Sequence, residues 1–162
     1  MNKAWYAAQV LSGAEREVRK ALERAGFETK IPVRAMNERR GGAWHIKYRT
    51  AIPGYVFIKA GAGGMTAHEW REAKSVPGLI RILGSGRPEE VPGGQMEIIH
   101  MLSYADNLIR AVEDPDGRKT AKMPARMREA GARIVSADMR ARRAVVEVTI
   151  LDRVHRVQMG IF

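Results

Sequence analysis

The 162-residue chain contains no cysteine, which excludes disulfides, thiolate metal ligands and a cysteine nucleophile. Acidic charge is in deficit. With 18 Asp and Glu against 28 Lys and Arg, the net charge of +10 selects nucleic acid or a large acidic assembly as the partner class. Long apolar runs are missing as well. The most apolar stretches, around Ala7 to Leu11 and Ala144 to Val146, fall far short of the roughly 20 residues of a membrane span, and the first residues lack an apolar signal core. The expectation is a cytoplasmic protein without membrane contact. The usual chemistry of an active site is absent too. His45, His68, His100 and His155 lie in four separate segments without metal-ligand spacing, and the Glu89-Glu90 pair sits in a Pro- and Gly-rich loop. "GAGG" and "GSGRPEE" lack the Lys-Ser or Lys-Thr ending of a phosphate-cradling loop and read as turns. These absences predict a protein that binds rather than catalyses, with no metal and no cofactor.

What is present begins with an apolar fraction of 45%, enough for a real core. "AWYAAQVL" reads as a strand. A helix follows, with Ser12 as its expected N-cap and Glu15 at capping-box spacing; Val18, Ala21, Leu22 and Ala25 form its apolar face and Gly26 ends it. "FETKIPVRA" and "AWHIKYR" read as strands around the turn-forming "NERRGG", giving a long basic hairpin. Arg34, Arg39, Arg40, Lys47 and Arg49 on this hairpin face a single acid, Glu38, with Trp44, His45 and Tyr48 interleaved. That mixture suits phosphates and unpaired bases; the competing reading is a solvated hairpin tip whose charges only confer solubility.

"AIPGYVFIKA" then places a Pro-Gly pair, ordinarily a turn signal, directly before an alternating strand. A helix over about 66 to 75 carrying Trp70, a short strand "GLIRILG" and a helix from Gln95 to about Asn107 complete a first domain, 1–105. Residues 106–122, rich in Pro, Gly and charge, read as a linker. Residues 123–162 hold three alternating strands, "ARIVSAD", "RAVVEVTI" and "HRVQMGIF", expected to close into a small barrel or to pack on the first domain. The β-branched run from Val145 to Ile150 suits a strand rather than a helix. The fold class is α+β: a mostly antiparallel sheet flanked by helices, then a small β unit.

The order and spacing of "WYAAQVLSGAEREVRKALERAGF", "IPV", "AIPGYVFIKA", a tryptophan-bearing helix and "VPGLIRILG" resemble the N-terminal domain of the NusG family of transcription elongation factors. "VVEVTILDRVHRVQM" is similar to the last strands of that family's KOW barrel. The resemblance implies a monomeric transcription factor that binds the clamp helices of the largest RNA polymerase subunit and modulates pausing, termination or antitermination. It implies that Ile52, Pro53, Gly54, Tyr55 and Phe57 make the polymerase contact, with Ile52 and Tyr55 exposed on an apolar depression. It also implies that the basic hairpin touches upstream or non-template DNA, and that Ile150, Leu151 and Arg153 contact the ribosomal protein NusE or the termination factor Rho. The sequence departs from the family pattern in three places: Ile52 stands where an aromatic is usual, "MRARR" where a Gly-bearing turn is expected, and Leu151-Asp152 at the barrel tip. The departures in the barrel point toward a specialised paralogue, with the housekeeping factor as the other reading. The alternative is a free-standing RNA-binding, ribosome-associated module of KOW type.

Overall fold

The computed structural model describes residues 4–61, 63–104 and 108–162, with only the backbone at Tyr104. These residues form two compact units, one of 4–31 and 52–92 and the other of 32–51 and 93–162.

In the first unit, β1 (Ala4–Val10) lies between β5 (Tyr55–Ala60) and β6 (Leu79–Ile82), and β2 (Glu28–Lys30) lies outside β5. All three pairings are antiparallel, with Ala7 opposite Phe57 and Gln9 opposite Tyr55. The helices are α1 (Glu15–Arg24) and α2 (Ala67–Lys74). Their apolar residues Val18, Leu22 and Ala73 bury against Tyr6, Ala8, Val56 and Ile58 of the sheet. This is the sheet-and-helix arrangement expected from the alternating strands and the i, i+3, i+4 helix pattern.

The expected capping box at Ser12 does not form. Helix α1 starts at an Ala14 N-cap with no side-chain cap, and Glu15 is turned away to other donors. A complete capping box occurs instead on α2, where Thr66 accepts from the Glu69 N–H at 3.1 Å and Glu69 accepts from the Thr66 N–H at 3.0 Å.

In the second unit, β3 (Val33–Arg40) and β4 (Ala43–Thr50) form the long basic hairpin, closed by Gly41-Gly42 with φ of 56° and 80°. Helix α3 (Gly93–Tyr104) packs on β3 and on β10 (Arg143–Ile150). β10 is the middle strand of an antiparallel sheet with β9 (Arg133–Asp138) and β11 (Arg153–Gly160). Its buried residues Ala144, Val146, Val148 and Ile150 keep the expected period of two. The pairing is an open order β11-β10-β9; among the described residues no pairing closes it into a barrel.

Two expectations about this part of the chain change. Where the composition predicts a linker over 106–122, residues 110–122 carry a hairpin, β7 (Arg110–Glu113) with β8 (Lys119–Lys122). It is tied to the end of the chain: the Ala111 N–H donates to the Phe162 carbonyl at 2.7 Å and the Phe162 N–H to the Ile109 carbonyl at 2.8 Å. Its strands bury almost nothing, so no apolar alternation marks them. A short helix, α4 (Ala125–Glu129), follows, with Met127 buried. The division at 105 and 123 also differs from the two compact units, because the β3–β4 hairpin packs on β11 and α3 packs on β10, which groups 32–51 and 93–104 with the C-terminal strands. The end of the α3 reading, Ala105 to Asn107, lies outside the described residues.

Candidate functional site

The Pro-Gly pair sits at the entry to β5, and its local geometry explains why a turn signal is tolerated there. Pro53 is exposed and has no N–H to satisfy; Gly54 has φ 87°, a left-handed conformation that a side chain would strain. The Gly54 carbonyl accepts from the Val10 N–H at 2.8 Å, which extends the β1–β5 ladder through the bend. Its N–H donates to Glu15 Oε1 at 2.8 Å, while Glu15 Oε2 accepts from the Gly13 N–H at 2.9 Å. Glu15 is itself buried, so its carboxylate pins the loop after β1 and the entry to β5 together from the first turn of α1.

The residues around this bend are not arranged as the resemblance implies. Ile52 is 2% exposed and Tyr55 6%, and Phe57 is fully buried; Pro53 is the exposed member of the five. Both faces of β5 are covered, so alternation places Tyr55 and Phe57 opposite Val56 and Ile58 without leaving either pair at the surface.

On the hairpin the five cations separate into three environments. Arg34 is half-buried, donates to the Gln158 carbonyl at 3.0 Å and approaches the Met36 sulfur at 3.5 Å, which joins β3 to β11. Burial lowers its pKa, and the neighbouring cations Arg49 and Arg143 lower it further. Lys47 and Arg49 both pair with Glu38, at 3.3 and 3.0 Å. The hydrogen bond from Arg49 is the main reason the Glu38 carboxyl is held below its ordinary range, and Lys47 adds to it. Arg39 and Arg40 are exposed at the tip.

The register places Arg39 opposite Trp44, Asn37 opposite Ile46 and Ala35 opposite Tyr48. These positions alternate onto one face of the hairpin, where Ile46 and Tyr48 are about half exposed. Two guanidiniums lie by Trp44, that of Arg39 at 6.0 Å from the ring centroid and that of Arg142 at 4.4 Å. Arg142 belongs to the β9–β10 turn and was not singled out in the sequence. A contact across 98 positions leaves no local pattern; the nearest signal was the cluster "MRARR" itself.

At the β10–β11 turn, Ile150 is fully buried and Arg153 half-buried. Leu151 has φ 55° and its backbone is held by Gln95 of α3: the Leu151 N–H donates to Gln95 Oε1 at 2.6 Å and the Gln95 amide donates to the Leu151 carbonyl at 3.2 Å. The tip expected to meet a partner is therefore engaged within its own unit. Among the described residues no group of three or more His, Asp and Glu gathers as for a metal, and no helix is long and apolar enough to cross a membrane.

A family model described as transcription termination factor NusG matches residues 3–100. The transcription termination/antitermination protein NusG of Neisseria meningitidis is 32% identical over 110 residues, which cover 61% of this chain and 60% of that protein. The protein of the same name from Helicobacter pylori is 26% identical over 141 residues, covering 72% of this chain and 78% of that protein. A solved structure titled "Domain interaction in Thermotoga maritima NusG" shares the fold, with a TM-score of 0.58 at 22% identity over 99% of this chain and 94% of that one. A family match over residues 3–100, more than half of the chain, makes this chain a member of the NusG family of transcription factors.

Proposed function

We propose that the protein is a non-enzymatic transcription factor that binds the clamp helices of elongating RNA polymerase and modulates pausing, termination or antitermination. The observation that carries this reading is the family match over residues 3–100, which spans the whole first unit including the Pro53-Gly54 entry to β5. A factor that binds the closed clamp more tightly than the open one shifts the polymerase toward the closed, elongating state by that difference in affinity. The contact centres on the bend before β5. Pro53 is its exposed point, with Ile52, Tyr55 and Phe57 buried beside it. The exposed cations of the β3–β4 hairpin supply the contact to upstream or non-template DNA. The C-terminal β unit is the region through which NusE or Rho would be engaged, at Leu151 and Arg153 of the β10–β11 turn. The second reading, an RNA-binding module that acts without polymerase, draws on the same basic surface.

Binding of the full chain to purified RNA polymerase separates the two. Pro53→Glu adds a charge at the exposed point of the bend without touching the core, and it is expected to weaken polymerase binding about tenfold, or about 1.4 kcal/mol, with the melting temperature unchanged. Polymerase affinity equal to that of the unaltered protein would remove Pro53 from the contact. No polymerase binding by the unaltered protein, with RNA binding retained, would favour the free-standing module.

A further inference from the structure

We propose that the β3–β4 hairpin tip and the β9–β10 turn form one composite surface for a single strand of nucleic acid, on which Trp44 positions Arg39 and Arg142. The inference rests on the nucleic-acid contact of the preceding section and extends it to a second element far away in sequence. Both elements belong to the second unit.

The first observation is the shared ring. Two guanidiniums, from residues 103 positions apart, lie 4.4 and 6.0 Å from the centroid of Trp44. Like charges brought to one ring repel each other, and a phosphate placed between them relieves that repulsion. Arg40, Arg140 and Arg143 are exposed around the same two turns, and Arg49 and Arg143 both act electrostatically on Arg34. The acids in these segments are occupied: Glu38 is paired with Lys47 and Arg49, and Asp138 accepts the Ala141 N–H at 3.0 Å.

The second observation is the backbone of Arg142. Its φ of 54° is a conformation in which glycine or asparagine would be less strained, yet an arginine stands there. The turn is held in place by the Asp138–Ala141 hydrogen bond and by the Arg142 carbonyl, which accepts from the Ile161 N–H at 2.8 Å. The strained position aims the guanidinium at Trp44, a role glycine cannot take.

The third observation selects an unpaired strand over a duplex. Ile46 and Tyr48 continue the row that starts at Trp44, on the same hairpin face, and both are about half exposed. Duplex phosphates need cations alone; apolar and aromatic side chains in line with the cations give unpaired bases a surface to stack on.

The test uses the full chain and a fluorescein-labelled mixed-sequence DNA of about 20 nucleotides, as single strand and as duplex, titrated by anisotropy across a range of salt. Arg142→Gly relaxes the backbone while removing the guanidinium. It is expected to leave the melting temperature equal or higher, to weaken single-strand binding about fivefold, and to lower the slope of log affinity against log salt by about 0.7, one phosphate contact. Trp44→Ala is expected to lower that slope by about twice as much, since two cations lose their position, whereas Trp44→Phe keeps a ring and most of the affinity. Lys20→Ala on the exposed face of α1 removes one charge elsewhere and is expected to change neither quantity. If Arg142→Gly binds as Lys20→Ala does, the composite surface is overturned; a loss confined to Arg39→Glu with Arg40→Glu would then leave the hairpin contact standing alone. Duplex binding as tight as single-strand binding would overturn the stacking row. Failure of Pro53→Glu to affect polymerase binding touches neither result.

Discussion

Glu15→Ala is expected to destabilise the first unit by about 3 kcal/mol, because it leaves the Gly13 and Gly54 N–H groups without their charged acceptor. For a chain of this length that corresponds to a melting temperature lower by roughly 6–12 °C. The Gly54 bond is buried, so water cannot readily replace the carboxylate. Glu15→Gln keeps one acceptor oxygen but turns its NH2 toward the other backbone N–H, so one donor stays unpaired and the expected cost is about 2 kcal/mol. A thermal melt of the two variants checks both values, and a Glu15→Ala protein melting within a degree of the original would show that the bend holds itself. The effect reaches function through geometry. Gly54 can keep its left-handed conformation beside an exposed Pro53 because Glu15 ties its N–H down, so the loss of Glu15 loosens the surface proposed to meet polymerase as well as the core.

The residues that the sequence made legible are those whose role is periodic. Val146, Val148 and Ile150 alternate and are buried on one side of β10; Val18 and Leu22 recur at helical spacing and are buried under α1. The hairpin was legible but its turn is shorter than "NERRGG" suggests: Asn37 to Arg40 continue β3, and only Gly41-Gly42, with positive φ, make the turn. The spacing of Glu15 from Ser12 fits a capping box, but two backbone donors, one of them 39 residues away, take its carboxylate instead. The β7–β8 hairpin was missed because its strands bury no face and its stabilising bonds run to Phe162. The burial of Ile52 and Tyr55 was not legible for a related reason: alternation assigns a face but not what covers it. The candidate nucleic-acid surface divided in the same way. Charge and aromatics marked the hairpin, whereas the separation of Arg34 into a strand-joining role and the approach of Arg142 to Trp44 depend on contacts spanning 124 and 98 positions.

Asn37→Asp is expected to be the most damaging single-atom change in the second unit. Asn37 is buried on β3 and its amide donates to the Ile161 carbonyl at 2.7 Å. Asp replaces that donor by an acceptor facing a carbonyl and buries a charge, an expected cost of about 3 kcal/mol or more, whereas Asn37→Ala only leaves the carbonyl unpaired, at about 1–2 kcal/mol. The packing here is close: at Gly160 a Cβ would stand 3.0 Å from the Ala35 carbonyl and 3.1 Å from both nitrogens of Asn37, so a side chain at this end of β11 would push against β3. Hydrogen exchange should report the consequence at specific amides: Ile161, which donates to Arg142, Phe162, which donates to Ile109, and Ala111, which donates to Phe162, should all lose protection in Asn37→Asp. The Ile161–Arg142 bond carries the disturbance to the β9–β10 turn, so single-strand binding should weaken although no cation has been removed. Unchanged protection at Ile161 would show that the hairpin and β11 are held together without this amide, by Arg34 and by packing alone.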